Sequence, residues 1–192
     1  MTTIVVGLVG LKGAGKSVVA DAFVVNHNDW EKTAFAAPLK AGLQCMFGFS
    51  EAQMHNAALK EVVDDRYGIT PRQAMQVVGT DLMRHELERR LGINALWVKR
   101  MDQCLTAAAA RGLHVIVEDV RFPDEVACIQ RHGGKIVHVT RSSSDTTSLP
   151  LSVVHESESY VGTLPCEVVL VNSGSLDDLR EKALALRTQL LQ

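Results

Sequence analysis

A glycine-rich loop between an apolar run and an amphipathic segment constrains this chain more than any other feature. The loop spans residues 10–17, reads Gly-Leu-Lys-Gly-Ala-Gly-Lys-Ser, and follows the apolar residues 4–9. It matches the pattern Gly-x-x-x-x-Gly-Lys-Ser/Thr, whose glycines let backbone N–H groups turn toward phosphate oxygens. A helix after such a loop points the positive end of its dipole at the same anion. The loop therefore predicts a strand, a phosphate-binding turn and a helix in direct succession.

Individual residues of this loop have distinct expected roles toward a nucleoside triphosphate. The ammonium group of Lys16 is expected to reach the β- and γ-phosphates, and the Ser17 hydroxyl is expected to ligate Mg²⁺. The side chain of Val18 is expected to pack in the helix core. The residues predicted to bind ATP at this loop are Gly13, Ala14, Gly15, Lys16, Ser17 and Val18.

Apolar runs alternate with amphipathic segments along the whole chain. The runs predict strands at 4–9, 32–36, 113–117, 135–140 and 167–171. Amphipathic patterns predict helices at 16–28, 71–91, 95–111, 123–132 and 176–190, with Pro38 in the first turn of another. Apolar strands separated by helices are typical of a mainly parallel sheet covered on both faces. We therefore expect an α/β three-layer sandwich of about five strands, formed by residues 1–192 as one domain.

The helix predicted after residue 70 carries its own start signal. Residues 70–73 read Thr-Pro-Arg-Gln, a capping box with proline at the first helical position. Ala74, Val78 and Leu82 then predict an apolar stripe. Gly79 interrupts this helix at a cost of about 1 kcal/mol relative to alanine, which close approach of a ligand or of a neighbouring helix explains.

Composition excludes several other classes of protein. The net charge of −2 argues against a protein that binds a nucleic acid polymer. The four cysteines form no Cys-x-x-Cys pair, so their spacing predicts neither a zinc site nor a disulfide framework. No apolar run approaches the roughly 20 residues of a membrane span, and we expect no membrane partner and a cytoplasmic location, in the host if a phage encodes the chain.

A second group of charged residues follows the predicted strand at 113–117. Glu118 and Asp119 stand where P-loop proteins hold a magnesium-binding carboxylate, and Arg121 follows them. A solvated turn with a surface ion pair is the alternative interpretation. The chain has no Asn-Lys-x-Asp segment for reading guanine and, at 192 residues, is short for a motor or a ring ATPase. A small kinase, which must bring two anions together, fits these features better.

Several motifs together resemble the phage-type deoxynucleoside monophosphate kinases, in order from residue 4 to about residue 180. Besides the loop, they are Ala37-Pro38-Leu39-Lys40, Arg72-x-x-x-Gln76-x-x-Gly79-Thr80-Asp81, Trp97-Val98, Asp119-x-Arg121-x-x-x-Glu125 and His155-Glu156-Ser157-Glu158. The resemblance implies ATP-dependent phosphorylation of a deoxynucleoside 5′-monophosphate (dNMP), with Mg²⁺ held by Ser17 and Asp119. It also implies a helical acceptor-binding segment at about 38–111 and a short lid at about 141–158.

The resemblance assigns roles to particular residues. Those implied to bind the dNMP are Lys12, Lys40, Arg72, Gln76, Gly79, Thr80, Trp97, Asp119, Arg121 and Glu125, and those implied to act in transfer are Lys16, Asp119, Arg121 and Arg141. Trp97 either stacks on a base or fills the core, and Glu125 is expected to orient Arg121. Arg141 is either a lid arginine or a solvated loop charge. Asn172 either belongs to a loop around the adenine or to a turn before a helix cap.

The chain leaves some alternatives open. The acceptor can be another small phosphorylated molecule, such as phosphomevalonate or dephospho-coenzyme A, and a nucleotide-binding module without transferase activity is a third possibility. The apolar positions of the last helix are predicted at Leu176, Leu179, Ala183, Leu186 and Leu190. Leu186 and Leu190 serve either the core or a homodimer.

Overall fold

The strand that leads into the glycine-rich loop stands at the centre of a five-stranded sheet. The computed structural model describes residues 3–141 and 159–192. Its strands are β1 (Val5–Val9), β2 (Trp30–Thr33), β3 (His114–Val117), β4 (Lys135–Arg141) and β5 (Val168–Asn172). They lie in the order β2-β3-β1-β4-β5, and every neighbouring pair is parallel. The predicted α/β fold with a five-stranded, mainly parallel sheet is confirmed.

Eight helices connect or follow these strands in the described residues. They are α1 (Lys16–Val24), α2 (Ala37–Phe47), α3 (Glu51–His55), α4 (Pro71–Gln76), α5 (Leu87–Leu91), α6 (Leu96–Ala110), α7 (Pro123–Arg131) and α8 (Leu176–Leu190). A 3₁₀ turn covers Leu59–Glu61, and a π-helix, Val77–Glu86, joins α4 to α5. Within the described ranges, none of the helices has the length and apolar character needed to traverse a bilayer.

The chain divides into two compact units, and the first contains the sheet. It comprises Met1–Ala34 and Arg100–Gln192. Alternate residues of β1 face opposite sides, so Val6 and Leu8 join a buried cluster with residues of α1 and α8. Gly7 faces the other side, where an added Cβ would lie 3.3 Å from Ile129 of α7. Helices therefore cover both faces of the sheet.

The second unit, Phe35–Lys99, is helical. Its core is formed by Leu39, Leu43, Phe49, Met54 and Ala74. The predicted capping box is confirmed, because the Thr70 hydroxyl accepts from the backbone N–H of Gln73 and the Gln73 side chain accepts from that of Thr70.

The predicted apolar stripe through Leu82 is wrong, since the Leu82 side chain is 46% exposed. In the π-helix, whose backbone hydrogen bonds span five residues rather than four, the buried residues are Gly79 and Thr80 instead.

Two predicted elements differ by several residues from the structure, and one position predicted to be apolar and packed is exposed. Strand β2 begins at Trp30, which is buried edge-on against Phe23 at a centroid distance of 4.9 Å, and it ends at Thr33 rather than at residue 36. Helix α1 ends at Val24 rather than at residue 28, because Val25 adopts an extended conformation with φ −60° and ψ 125°. Leu176 opens α8 but is 53% exposed, so the buried stripe of that helix starts at Leu179.

Candidate active site

The glycines of the phosphate loop are required either by the space around them or by their backbone conformation. An added Cβ on Gly10 would collide with the backbone carbonyl of Val139 in β4. Gly13 and Gly15 have φ values of 81° and 107°, which side chains disfavour. A Cβ on Gly15 would also lie 2.6 Å from a methyl group of Leu179. The loop therefore packs closely against the sheet and α8 while its backbone turns as a phosphate cradle requires.

The Lys16 side chain folds back over this loop. Its Nζ donates to the carbonyls of Gly10 and Leu11, at 2.7 and 2.9 Å. The ammonium group is thereby held beside the backbone that would surround an anion. Ser17 is exposed in the first turn of α1, whereas the side chain of Val18 packs against the core as predicted.

Acidic residues follow β3 at the same edge of the sheet. The Glu118 N–H donates to the Thr33 carbonyl at 3.0 Å, and the Val120 N–H donates to the Leu8 carbonyl at 3.1 Å. These bonds hold Asp119 in a backbone that runs beside the end of β1. The partly exposed Asp119 thus shares the carboxyl edge of the parallel sheet with the phosphate loop.

The ammonium group of Lys32 lies near the carboxylate of Glu118. Its Nζ lies 4.0 Å from a Glu118 carboxylate oxygen and 2.6 Å from Asp21 Oδ1. Burial opposes the charged form of Lys32, but the Asp21 hydrogen bond and both carboxylate charges outweigh it and raise its pKa. Glu118 is therefore drawn into a carboxylate–lysine network with Asp21.

Glu125 acts on the backbone of Arg121. The Glu125 side chain is only 3% exposed, and its Oε2 accepts from the N–H groups of Arg121 and Phe122 at 2.8 and 3.3 Å. These two bonds close the first turn of α7. They also fix the backbone position from which the Arg121 side chain extends. This main-chain bond fits the expected orientation of Arg121 by Glu125, which stays a prediction.

Asn172 braces the phosphate loop from β5. The side chain is buried, and its Nδ2 donates to the Ala14 carbonyl at 3.0 Å. In the sheet register Asn172 is the partner of Arg141, the exposed last residue of β4. Residues 142–158, where the rest of the predicted lid and the His155–Glu158 motif fall, lie outside the described residues.

His138 is a neighbour of the loop that the sequence analysis missed. It pairs in register with Val9 at the end of β1. Burial lowers the pKa of His138, and the positive charge of Lys16 lowers that pKa further. A polar residue in the middle of a buried strand was the available signal.

Six of the predicted acceptor residues belong to the second unit, namely Lys40, Arg72, Gln76, Gly79, Thr80 and Trp97. Lys40, Arg72, Gln76 and Trp97 are partly exposed, whereas Thr80 is buried. The Arg72 Nε donates to a carboxylate oxygen of Glu61, a partner that no motif indicated. Arg72 is therefore paired with an exposed carboxylate.

Gly79 and Trp97 are joined within this unit. An added Cβ on Gly79 would lie 2.5 Å from Leu39 Cδ2, which supports the interpretation of Gly79 by close packing. The Trp97 Nε1 donates to the Gly79 carbonyl at 2.9 Å, and the indole packs against the core cluster of the unit. Trp97 therefore has a packing role whether or not it also stacks on a base.

The chain is similar to known proteins over most of its length. The model of the deoxynucleotide monophosphate kinase family matches residues 49–183. A protein of Acanthamoeba polyphaga mimivirus, described as a "putative deoxynucleotide monophosphate kinase", is 30% identical over an alignment of 193 positions that covers 91% of each chain.

Two solved structures have a similar fold. TT1252 from Thermus thermophilus superposes with a TM-score of 0.51 at 21% identity, over 100% of both chains. A "putative kinase" from Chloroflexus aurantiacus superposes with a TM-score of 0.50 at 10% identity, over 99% of this chain and 97% of that one. Both likenesses agree with a three-layer α/β fold.

Proposed function

We propose a substrate pair for this protein, which belongs to the deoxynucleotide monophosphate kinase family: ATP donates its γ-phosphate, and a deoxynucleoside 5′-monophosphate accepts it. Membership of that family makes the protein a phosphotransferase, and the module without transferase activity is set aside. The observation that carries the donor half is the position of Lys16. Its ammonium group lies within 2.9 Å of two carbonyls of a loop shaped to surround phosphate.

The donor half uses groups at the carboxyl edge of the sheet. Backbone N–H groups of the loop and the start of α1 bind the phosphates of ATP, and Lys16 turns from its carbonyl partners to the β- and γ-phosphates. The Ser17 hydroxyl and the Asp119 carboxylate offer hard oxygen ligands, the type that Mg²⁺ prefers, so the residues present fit this ion. When bound, Mg²⁺ neutralises charge on the β- and γ-phosphates.

The transfer step needs positioning more than acid–base chemistry. A phosphate oxygen of the dNMP forms a bond to the γ-phosphorus, and the bond from that phosphorus to the β–γ bridging oxygen breaks. ADP leaves with the electron pair, and the products are dNDP and ADP. Arg121 and Arg141 neutralise the charge that spreads over the transferring phosphoryl group, and Lys16 stabilises the leaving oxygen.

The acceptor half is assigned to polar residues of the second unit. The guanidinium of Arg72 and the ammonium of Lys40 bind the dNMP phosphate, where arginine can act bidentately. Gln76 and Thr80 hydrogen-bond the base or sugar, and Gly79 and Trp97 shape the pocket. The family resemblance also implies that Lys12, Asp119 and Arg121 act on the dNMP, and Glu125 fixes the main chain of Arg121.

An acceptor screen tests this proposal. The protein is incubated with ATP and Mg²⁺, and ADP release is measured with each of the four dNMPs, with dephospho-coenzyme A and with phosphomevalonate. We expect at least one dNMP to accelerate ADP release and the other two acceptors to leave it at background. Acceleration by either of those acceptors and by no dNMP would replace the proposed substrate class.

Two variants accompany the screen. Lys16→Ala is expected to abolish dNMP-dependent ADP release without changing the circular dichroism spectrum. Arg121→Ala is expected to lower kcat more than it weakens ATP binding. Unchanged turnover in Arg121→Ala would remove that residue from the transfer step.

A further inference from the structure

Three side chains with metal-binding atoms meet on helices α6 and α7. Asp102 comes from α6, and Cys128 and His132 come from the last turn and the end of α7. One carboxylate oxygen, one thiol sulfur and one imidazole nitrogen all lie within 4.8 Å of one another. No motif of the proposed kinase site includes any of the three.

The local sequence places these groups together. Cys128 and His132 are four residues apart, so they share one face of α7. Helix α7 begins after the carboxyl end of β3 and runs back to the start of β4. Its last turn therefore lies toward the amino edge of the sheet, away from the edge that carries the phosphate loop.

The cluster combines a buried thiol with a more open side. Cys128 is 0% exposed, whereas the side chains of His132 and Asp102 are 21% and 46% exposed. The His132 Nε2 lies 2.9 Å from Asp102 Oδ1. A solvent ion can therefore reach the cluster from the Asp102 side.

We propose that Asp102, Cys128 and His132 form a Zn²⁺ site that links α6 to α7. Sulfur, imidazole nitrogen and carboxylate oxygen are the ligands that Zn²⁺ uses in proteins. Ligand atoms around a tetrahedral Zn²⁺ lie roughly 3.5 Å apart, given bond lengths of about 2.0–2.3 Å. The His132–Asp102 pair needs to open by less than about 1 Å to reach that spacing, and water completes the coordination at the open side.

The electrostatic surroundings favour a cation. The last turn of a helix carries the negative end of its dipole, and Asp102 adds a full negative charge. The Arg131 guanidinium lies 3.8 Å from the same Asp102 oxygen, but its side chain is 56% exposed. Arg131 can therefore turn into solvent when an ion binds to the carboxylate.

A nucleophilic Cys-His-Asp triad is a poorer interpretation of the same three residues. Burial raises the pKa of the Cys128 thiol to about 11, so the thiol is protonated at neutral pH, and a thiol is a weak nucleophile. Zinc binding reverses this state: the S–Zn bond forms, and the thiol proton passes to solvent. No electron transfer is involved, so no oxidant or reductant is needed.

Zinc and cobalt titrations test the proposal on chelator-treated, nucleotide-free protein. We expect one Zn²⁺ per chain, a rise in the thermal unfolding midpoint on binding, and, with Co²⁺, the near-ultraviolet absorption of a sulfur–cobalt bond. Cys128→Ala and His132→Asn should each weaken Zn²⁺ binding at least about 100-fold, since even partners outside the ligand set cost 10–100-fold. Cys128→Ala should also lose the sulfur–cobalt absorption, and His132→Asn should lose the contribution of its imidazole to the cobalt spectrum.

Two matched controls keep the result specific. Cys166→Ala removes an exposed thiol, and His27→Asn removes an imidazole that pairs with Asp29 at 3.6 Å. Both should bind Zn²⁺ like the parent protein. If Cys128→Ala fails to fold, zinc binding by His132→Asn is the deciding measurement, because the His132 side chain is partly exposed. Absence of zinc binding, equal binding by His132→Asn, or an equal loss in the controls would overturn the proposal.

Discussion

The indole N–H of Trp97 donates a 2.9 Å hydrogen bond to the carbonyl of Gly79, inside the π-helix Val77–Glu86. Gly79 is buried, and Trp97 stands in the first turn of α6. The bond ties α6 to the helical segment that carries Thr80, a proposed acceptor residue. The π-helix is thus braced at the point where its geometry departs from an α-helix.

The variant Trp97→Phe distinguishes the role of this hydrogen bond from that of base stacking. Phenylalanine keeps an aromatic ring but has no N–H donor. We expect the free energy of unfolding to fall by about 1–2 kcal/mol, since the hydrogen bond from the indole to the Gly79 carbonyl is lost. The KM for the dNMP should rise severalfold, and the KM for ATP should stay near its parent value. Urea denaturation and steady-state kinetics measure the two effects.

Trp30→Phe is the matched control, because the Trp30 Nε1 is buried and has no hydrogen-bond partner among the described residues. That variant removes an indole N–H without breaking a hydrogen bond, so its dNMP KM should not change. A Trp97→Phe variant with parent stability and parent kinetics would show that the brace does not support the acceptor segment.

Asn172→Ala tests how β5 supports the phosphate loop. Losing the bond to the Ala14 carbonyl should cost about 1–2 kcal/mol, which corresponds to roughly a 5- to 30-fold loss in affinity for triphosphates. Because the loss acts through the loop, binding of ATP, GTP and inorganic tripolyphosphate should fall alike in calorimetric titrations. The exposed neighbour Ser173 supplies the control variant Ser173→Ala, which should bind normally. A selective loss of ATP would instead assign Asn172 to adenine recognition.

Variants of Arg72 and Glu61 are expected to change the KM for the dNMP in opposite directions. Arg72→Ala should raise the KM for the dNMP about 10- to 100-fold, because it removes a charge-assisted hydrogen bond to the phosphate. Glu61→Gln should lower that KM by up to about fivefold, since an exposed ion pair that competes for Arg72 is worth up to about 1 kcal/mol. Glu51→Gln, at another exposed glutamate of the same unit, is the control for initial-rate kinetics. A higher KM in Glu61→Gln would mean that Glu61 itself contributes to acceptor binding.

The Asp64 carboxylate should make the stability of the protein depend on pH at the acidic end. The Arg66 side chain donates to both oxygens of Asp64 at 2.8 and 2.7 Å, and Gln53 donates to one of them at 3.1 Å. The Arg66 hydrogen bonds hold the pKa of Asp64 well below its usual range. Since the folded pKa is below the unfolded value of about 3.9, this stabilisation is present above about pH 4 and is lost as the pH falls further.

Urea denaturation of Asp64→Asn and the parent protein between pH 7 and about pH 2.5 checks this expectation. The stability difference between the two should be largest near neutrality and should narrow below about pH 4, because the Asp64 carboxylate of the unfolded chain then takes up a proton while that of the folded chain stays ionised. Asp65→Asn, at an exposed neighbour, should follow the parent curve. A difference that stays constant with pH would exclude Asp64 as the titrating group.

Local signals in the sequence were sufficient for the sheet, the phosphate loop and the helix starts. Each of two helix caps, at Thr70 of α4 and Ser175 of α8, depends on residues three positions apart. Such a cap can be recognised within one short segment of the sequence. The loop glycines are likewise constrained by the motif itself. These features could be predicted because they are formed by interactions between residues that lie close together in the sequence.

The remaining features depend on contacts between distant residues. The Asn172–Ala14 bond joins positions 158 residues apart, and the Trp97–Gly79 bond joins positions 18 residues apart. The π-helix was missed because α- and π-helices share composition and differ only in the span of their hydrogen bonds. Tertiary packing, such as Leu39 against Gly79, selects between them.

Transfer of label from [γ-³²P]ATP tests the central claim most directly. The protein is incubated with Mg²⁺, labelled ATP and each dNMP in turn, and the nucleotides are separated after partial reaction. The proposed function predicts labelled dNDP, formed in equal amount to ADP with at least one dNMP and absent with Lys16→Ala. Label released only as inorganic phosphate, or no labelled dNDP with any of the four dNMPs, would contradict it.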